Sequence, residues 1–153
     1  MSGTSLPKHK VFPLQTFLPY RLAVLSKSVG LSLSKFYREK FGITNQQWRV
    51  MFSLARQPDC SASYLVHHAA LDKVQVSRAL AGLIKKKLVD RRADDKDRRN
   101  SILNLTNKGW AIYDQIAPEA AAFEARLKGA LNEKEANAFN SILSKLMDKA
   151  AQI

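Results

Sequence analysis

A mainly α fold of about six helices with one small antiparallel hairpin is what this sequence predicts. Apolar residues recur at helical spacing through most of its 153 residues. Residues that cap helices stand ahead of the later runs: Thr44, Ser61, Asp72, Thr106 and Asn132. The period turns from helical to alternating at one place, just after Leu88, and turns back after Thr106.

The elements follow in order. Pro7, Pro13 and Pro19 punctuate the start, so residues 1–13 read as a loose arm. That arm has no continuous apolar stretch and no small-residue cleavage site, and is not expected to be a secretory signal. From about Leu14 to Lys40 a first helix carries Leu18, Leu22, Leu25, Val29, Leu33 and Phe36, and Gly42 closes it. Thr44 or Asn45 caps a second, with Trp48, Met51, Phe52 and Leu54, which Pro58 stops. Ser61 caps a short third helix bearing Leu65 and Val66. Asp72 caps a fourth with Val76, Leu80, Leu83 and Ile84 on one face. Leu88-Val89 and Ile102 to Leu105 read as two strands joined by a charged stretch. Thr106 starts a fifth helix with Trp110, Tyr113, Ile116 and Ala117. Pro118 is expected to kink that helix rather than end it, since Phe123 and Leu127 continue the pattern. Asn132 with Glu135 caps a last helix carrying Phe139, Ile142, Leu143, Leu146 and Met147.

The length suits a single domain, and a hydrophobic share of 46% with 25% charged residues is that of a globular protein. The net charge of +12 points to a polyanionic partner. It is unevenly spread. Residues 1–60 hold nine Lys or Arg against two acids, residues 61–106 ten against five, and residues 107–153 six against six. The last third is therefore built for a different task. No apolar run approaches the roughly 18 to 20 residues of a membrane span, and the single Cys60 excludes an internal disulfide. No membrane partner and a cytoplasmic location are expected.

Helices three and four, "SASYLVHHAALDKVQVSRALAGLIKKK", form a candidate helix-turn-helix, with a short turn around Ala69 to Leu71. The fourth exposes Lys73, Gln75, Ser77 and Arg78 near its N-terminal end, the half of a recognition helix that reaches base edges. Arginine can read guanine with two hydrogen bonds, and glutamine adenine. The hairpin that follows turns through Asp95, Lys96, Asp97, Arg98 and Arg99, five successive charges. A basic hairpin directly after a helix-turn-helix is a wing. Arg98 or Arg99 can enter a narrow minor groove, where the negative potential is strongest. Asp97 is expected to hold Arg99, Arg91 or Arg92 in position. Lys85, Lys86 and Lys87, with Arg91, Arg92 and the cap residue Ser61, are candidate phosphate contacts.

Asp97-Arg98-Arg99, then Leu105-Thr106 and Gly109, resembles the D-x-R…L-T-x-x-G wing signature of MarR-type regulators. "ITNQQWRVMFSLARQP" resembles the family's second helix, and Val76-Ser77-Arg78-Ala79-Leu80 part of its recognition helix. The resemblance implies a homodimer joined through N- and C-terminal helices, a winged helix in each subunit, and a palindromic DNA operator. It places Asp97 and Arg99 as the wing pair, and Gln75, Ser77 and Arg78 as groove readers. Two positions depart: Ala81-Gly82 stands where many members carry a bulky or charged pair, and Lys87 where many have a glycine. The chain divides accordingly into dimerisation helices at 14–42 and 107–153 around a DNA-binding part at 43–106.

Family members usually bind a small effector between the dimer module and the winged helix. Arg21, Ser28, Trp48 and Arg49 are the candidate pocket residues. Aromatic walls near an arginine suit an aromatic acid, or an acyl-CoA thioester whose phosphates need cations.

The function expected is thus a sequence-specific transcriptional regulator, a homodimeric repressor released from its operator by an effector. The alternative is a basic winged-helix module that binds duplex DNA without sequence choice or mediates a protein interaction. No enzyme is expected, since there is no Gly-rich phosphate loop, paired carboxylate constellation or Ser-His-Asp set. No cofactor is expected either. His67 and His68 point about 100 degrees apart on a helix, which argues against a metal site. Cys60 reads as structural rather than redox-active, because Asp59 beside it raises the thiol pKa.

Overall fold

The computed structural model describes residues 13–94 and 101–153. A 3-10 turn at Leu14–Thr16 leads into α1 (Leu18–Phe41), α2 (Asn45–Arg56), α3 (Ala62–His68) and α4 (Lys73–Lys85). The strands β1 (Val89–Ala93) and β2 (Ser101–Leu105) follow, then α5 (Asn107–Lys128) and α6 (Glu133–Ala150). The expected mainly α fold with one antiparallel hairpin is what the chain adopts. The first strand begins one residue after Leu88 and runs further into the charged stretch than the alternating pattern indicates. Val89 pairs with Leu105 and Ala93 with Ser101.

Helix boundaries are set by local chemistry. Thr44 accepts from the Gln47 N–H at 3.2 Å while the Thr44 N–H donates back to Gln47 Oε1 at 3.1 Å. The same reciprocal cap joins Asp72 to Gln75 at α4 and Asn132 to Glu135 at α6. Gly42 ends α1 at a φ of 62°, a conformation glycine adopts without a Cβ clash. Pro118 does not end α5, which continues ten residues to Lys128.

Lys87 ends α4 in the same left-handed region, at a φ of 59°. Its N–H donates to the Ile84 carbonyl and the Leu88 N–H to the Leu83 carbonyl, both at 2.9 Å. Leu83 and Leu88, buried on either side of the stop, complete a Schellman motif. A lysine thus occupies a glycine conformation. Lys87→Gly should raise the unfolding free energy by about 1 kcal/mol, read from the denaturant midpoint, because the left-handed penalty outweighs glycine's extra freedom in the unfolded chain.

The core lies within α2, α3, α4 and the hairpin, where Val50, Met51, Leu54, Leu65, Val76, Leu80, Leu83 and Leu103 are buried together with Ile43 of the link before α2. Tyr37 of α1 and Ile116 of α5 close it from the other side. Phe52, expected among the apolar residues of its helix, is 51% exposed, and Val50 is buried on the core side. Gly82 sits where α4 crosses α2: a Cβ there would overlap the side-chain amide of the buried Gln47. The glycine leaves room for the Gln47 amide, whose oxygen accepts from the Thr44 N–H at the start of α2.

The terminal helices are different. In α1 only Ser34 and Tyr37 are buried, and in α6 no residue is. Leu18, Leu22, Leu25, Leu127, Phe139, Ile142 and Met147 stand exposed along α1, α5 and α6, with Leu131 in the turn between the last two.

Candidate nucleic-acid interface

On α4 the burial alternates as a recognition helix requires. Val76, Ala79, Leu80 and Leu83 face the core, while Lys73, Val74, Gln75, Ser77 and Arg78 are exposed. A search for polar groups alone misses Val74. Gln75 is less free than its place suggests. Its Oε1 accepts from the Asp72 N–H at 3.0 Å, and Asp72 accepts from the Gln75 N–H at 2.8 Å. Reading an adenine through two hydrogen bonds would have to use the second lone pair of that oxygen.

The hairpin's alternation separates two neighbouring arginines. Arg91 lines a cavity between α3 and α4 with Ser63, Lys73 and Ser77, so two cations and two hydroxyls converge there. Arg92, on the opposite face, pairs with Asp59 rather than standing free for phosphate. Asp59 also accepts from the Asn104 amide at 2.8 Å, and its own N–H donates to Asn104 Oδ1 at 2.8 Å. These bonds hold Asp59 at a φ of 56° and tie the loop before α3 to the wing base. Hydrogen bonds from Asn104 and then Arg92 keep the Asp59 carboxyl below its ordinary pKa. The contribution of this tie is therefore present at neutral pH and lost as pH falls through the depressed value. Next along, the Leu103 N–H donates to the Cys60 carbonyl at 2.9 Å, adding a short third segment to the hairpin. Burial pushes the Cys60 thiol pKa up, with Asp59 a smaller push in the same direction. The wing-tip residues Lys96, Asp97, Arg98 and Arg99 lie outside the described residues.

A further correction concerns a cation. Lys86, expected on phosphate, turns its ammonium inward. It donates to the Gly42 carbonyl at the end of α1 and lies 3.5 Å from Gln47 Oε1. Lys85, one residue earlier, is exposed. Lys85→Ala should lower the salt slope of DNA binding by about one unit and leave stability unchanged. Lys86→Ala should do the reverse, costing about 1 kcal/mol of stability with an unchanged slope. Ser61 accepts from the Tyr64 N–H at 3.2 Å, leaving its hydroxyl proton able to donate.

A second cavity, of about 410 Å³, lies between α1 and α2, lined by Ser26, Gly30, Asn45, Trp48, Arg49, Phe52, Ser53 and His68 among others. Trp48 stacks on Tyr113 with ring centroids 5.5 Å apart, and Tyr37 donates to Asn45 at 3.0 Å. Burial pushes the Tyr37 hydroxyl pKa up to about 12, against the opposing pull of Arg49 and Arg38. Of the four expected pocket residues, Trp48 and Arg49 are here and Arg21 and Ser28 are not. The reason is helical phase. Ser26, Val29, Gly30 and Leu33 form the stripe of α1 that faces α2, and a residue two positions from Ser26 points about 200° away. Arg49 also donates to the Ala70 carbonyl at 3.2 Å, in the turn between α3 and α4. Ala70 is held there at a φ of 51°. Among the described residues no group of three or more His, Cys, Asp or Glu is placed to hold a metal ion, and His68 stacks on Tyr64 at 4.0 Å.

Two capped helices crossing at a short turn, with a basic outward face and a braced hairpin behind it, define a winged helix-turn-helix DNA-binding regulator. Known proteins agree. The MarR family model matches residues 41–100. The transcriptional repressor NicR of Pseudomonas putida is 27% identical over 134 residues, 81% of this chain and 85% of NicR. A MarR/EmrR family regulator from Acinetobacter sp. ADP1 is 28% identical with a TM-score of 0.85, covering 93% of this chain and 100% of that one. BpsR of Bordetella bronchiseptica, whose DNA binding is regulated by 6-hydroxynicotinic acid, shares the fold at 24% identity and a TM-score of 0.81, over 91% of this chain and 99% of BpsR. In sequence over its winged helix and in fold over nearly its whole length, this chain is similar to the MarR family of transcriptional regulators. Among the described residues no helix is long and apolar enough to cross a membrane.

Proposed function

We infer that this protein is a cytoplasmic homodimeric repressor that binds a palindromic operator and is released by a small anionic effector. The observation that carries the reading is the division of labour along the chain. Residues 43–106 carry exposed cations on a winged helix, while residues 14–42 and 107–153 leave a long apolar face uncovered. Two copies joined through those faces would present two α4 helices to half-sites about one helical turn, or ~10 bp, apart. Lys73, Ser77 and Arg78 would face base edges, with Lys85 and Arg91 on phosphates. NicR, a relative across most of both chains, carries the name of a repressor.

Arg49 supplies the route for release. An effector carboxylate entering beside Trp48 and Phe52 would draw the guanidinium from the Ala70 carbonyl and free the turn that sets the angle of α4. Such a ligand binds the released state better than the DNA-bound one, which is what shifting the equilibrium requires. An aromatic acid fits these walls, and an acyl-CoA thioester is the second class to try. Screening both for loss of operator binding tests the reading. A compound that releases the parent protein but not Arg49→Ala is expected. Release of both alike would remove Arg49 from the mechanism, and no release by any compound would remove ligand control. Arg78→Ala should relax base preference at one position of each half-site, at a cost of about 1–3 kcal/mol in affinity for the preferred sequence, measured by competition between duplexes.

A further inference from the structure

We propose that Val74 is a specificity-determining residue that packs against the 5-methyl group of a thymine in each half-site. The proposal rests on the reading of this protein as a sequence-specific DNA-binding regulator. Val74 occupies the second position of α4 and is 57% exposed, whereas Val76, Ala79, Leu80 and Leu83 of the same helix are buried. At about 100° per residue, those four centre on one side of the helix and Val74 lies directly opposite. Arg78 and Ala81, one and two turns on, continue the same outward midline and are exposed as well.

A single exposed valine on an ordinary surface needs no account. This one stands at the middle of the outward face, in the helical turn that reaches deepest into a major groove. Its β-branch restricts it to few rotamers, so it presents a fixed apolar knob at little entropic cost. Removing that knob from water gains free energy only against another apolar group. The base edges of the major groove offer one, the thymine methyl.

The neighbouring residue narrows the choice further. Gln75 has its carboxamide oxygen on the Asp72 N–H at 3.0 Å, which turns one lone pair of that oxygen to the cap and leaves the amide N–H groups to donate. A donor beside an apolar knob suits the O4 and methyl of thymine. The first turn of α4 is therefore a methyl-plus-acceptor reader.

The test starts from duplexes selected out of a random pool by the full chain. Each thymine of a selected half-site is then replaced by deoxyuridine, which deletes only the methyl group. At one position the parent protein should lose about four-fold in affinity, the worth of one buried methyl-sized group. Val74→Ala, at an exposed position that leaves the core intact, should bind the thymine duplex about four-fold less tightly and be indifferent to the replacement at that position. A half-site without thymine, or replacements that act equally on the parent and Val74→Ala, would overturn the proposal. Failure to enrich any duplex over the pool is a separate result, and would bring down sequence-specific binding itself.

Discussion

Ile142→Asp should turn the protein into a monomer and lower operator affinity about a hundred-fold or more, the avidity lost when two half-site contacts are no longer joined. Ile142 is 55% exposed in the middle of α6, with Phe139 one turn before it and Met147 beyond. Neither it nor its neighbours support the core of the single chain, since no residue of α6 is buried there. The substitution should therefore leave the helical circular dichroism spectrum intact. In a dimer it would bury two carboxylates on an apolar face, which costs several kcal/mol. The neutral charge balance of residues 107–153 is consistent with helices that must approach their own copies. Sedimentation equilibrium at micromolar concentration measures the outcome. A variant that remains dimeric with parental affinity would show that this face is not the interface.

Gly109→Ala should destabilise the fold by about 3 kcal/mol, the upper end for forcing atoms into a filled site. Helix propensity predicts the opposite sign, since alanine is favoured over glycine inside a helix by about 1 kcal/mol. The packing decides. Gly109 is buried in the first turn of α5, and a Cβ there would overlap the Leu88 carbonyl oxygen and stand 3.3 Å from Leu105 Cδ2. That carbonyl already accepts from the Thr106 N–H at 3.0 Å. Thr106 Oγ1 in turn accepts from the Gly109 N–H at 3.0 Å and donates to the Lys87 carbonyl at 2.8 Å. The L-T-x-x-G spacing is thus a joint: Leu105 fills the core, Thr106 caps α5, and Gly109 lets that helix touch the end of α4. Loosening it should also weaken DNA binding, because the same joint aligns the wing with α4. A denaturant midpoint equal to the parent's would contradict this account.

What the sequence made legible was local. Thr44, Ser61, Asp72, Thr106 and Asn132 all cap the helices assigned to them, because a cap is decided within three or four residues. The hairpin was legible from its change of period. Features that depend on tertiary approach were not. Asp59 meets Asn104 across 45 residues, and Lys86 meets Gly42 across 44, so neither partner shows in any local pattern. By propensity Gly82 is a weak point of α4, and only the fold shows that the Gln47 amide packs against it. The pocket differs for a smaller reason. Arg21 and Ser28 have the right chemistry on the wrong stripe of α1, and choosing the stripe requires knowing which face meets α2. Gln75 is a different case, since D-x-x-Q is a capping pair that the sequence already displays at Asp72.

The central claim is that this winged helix chooses among sequences, and one titration tests it most directly. Protein is titrated at fixed salt against its selected palindromic duplex and against random duplex of the same length. The account predicts a preference for the selected duplex of at least about a thousand-fold, the lower end for specific regulators. A ratio near one would contradict it, and would leave a basic module that holds DNA by its phosphates alone.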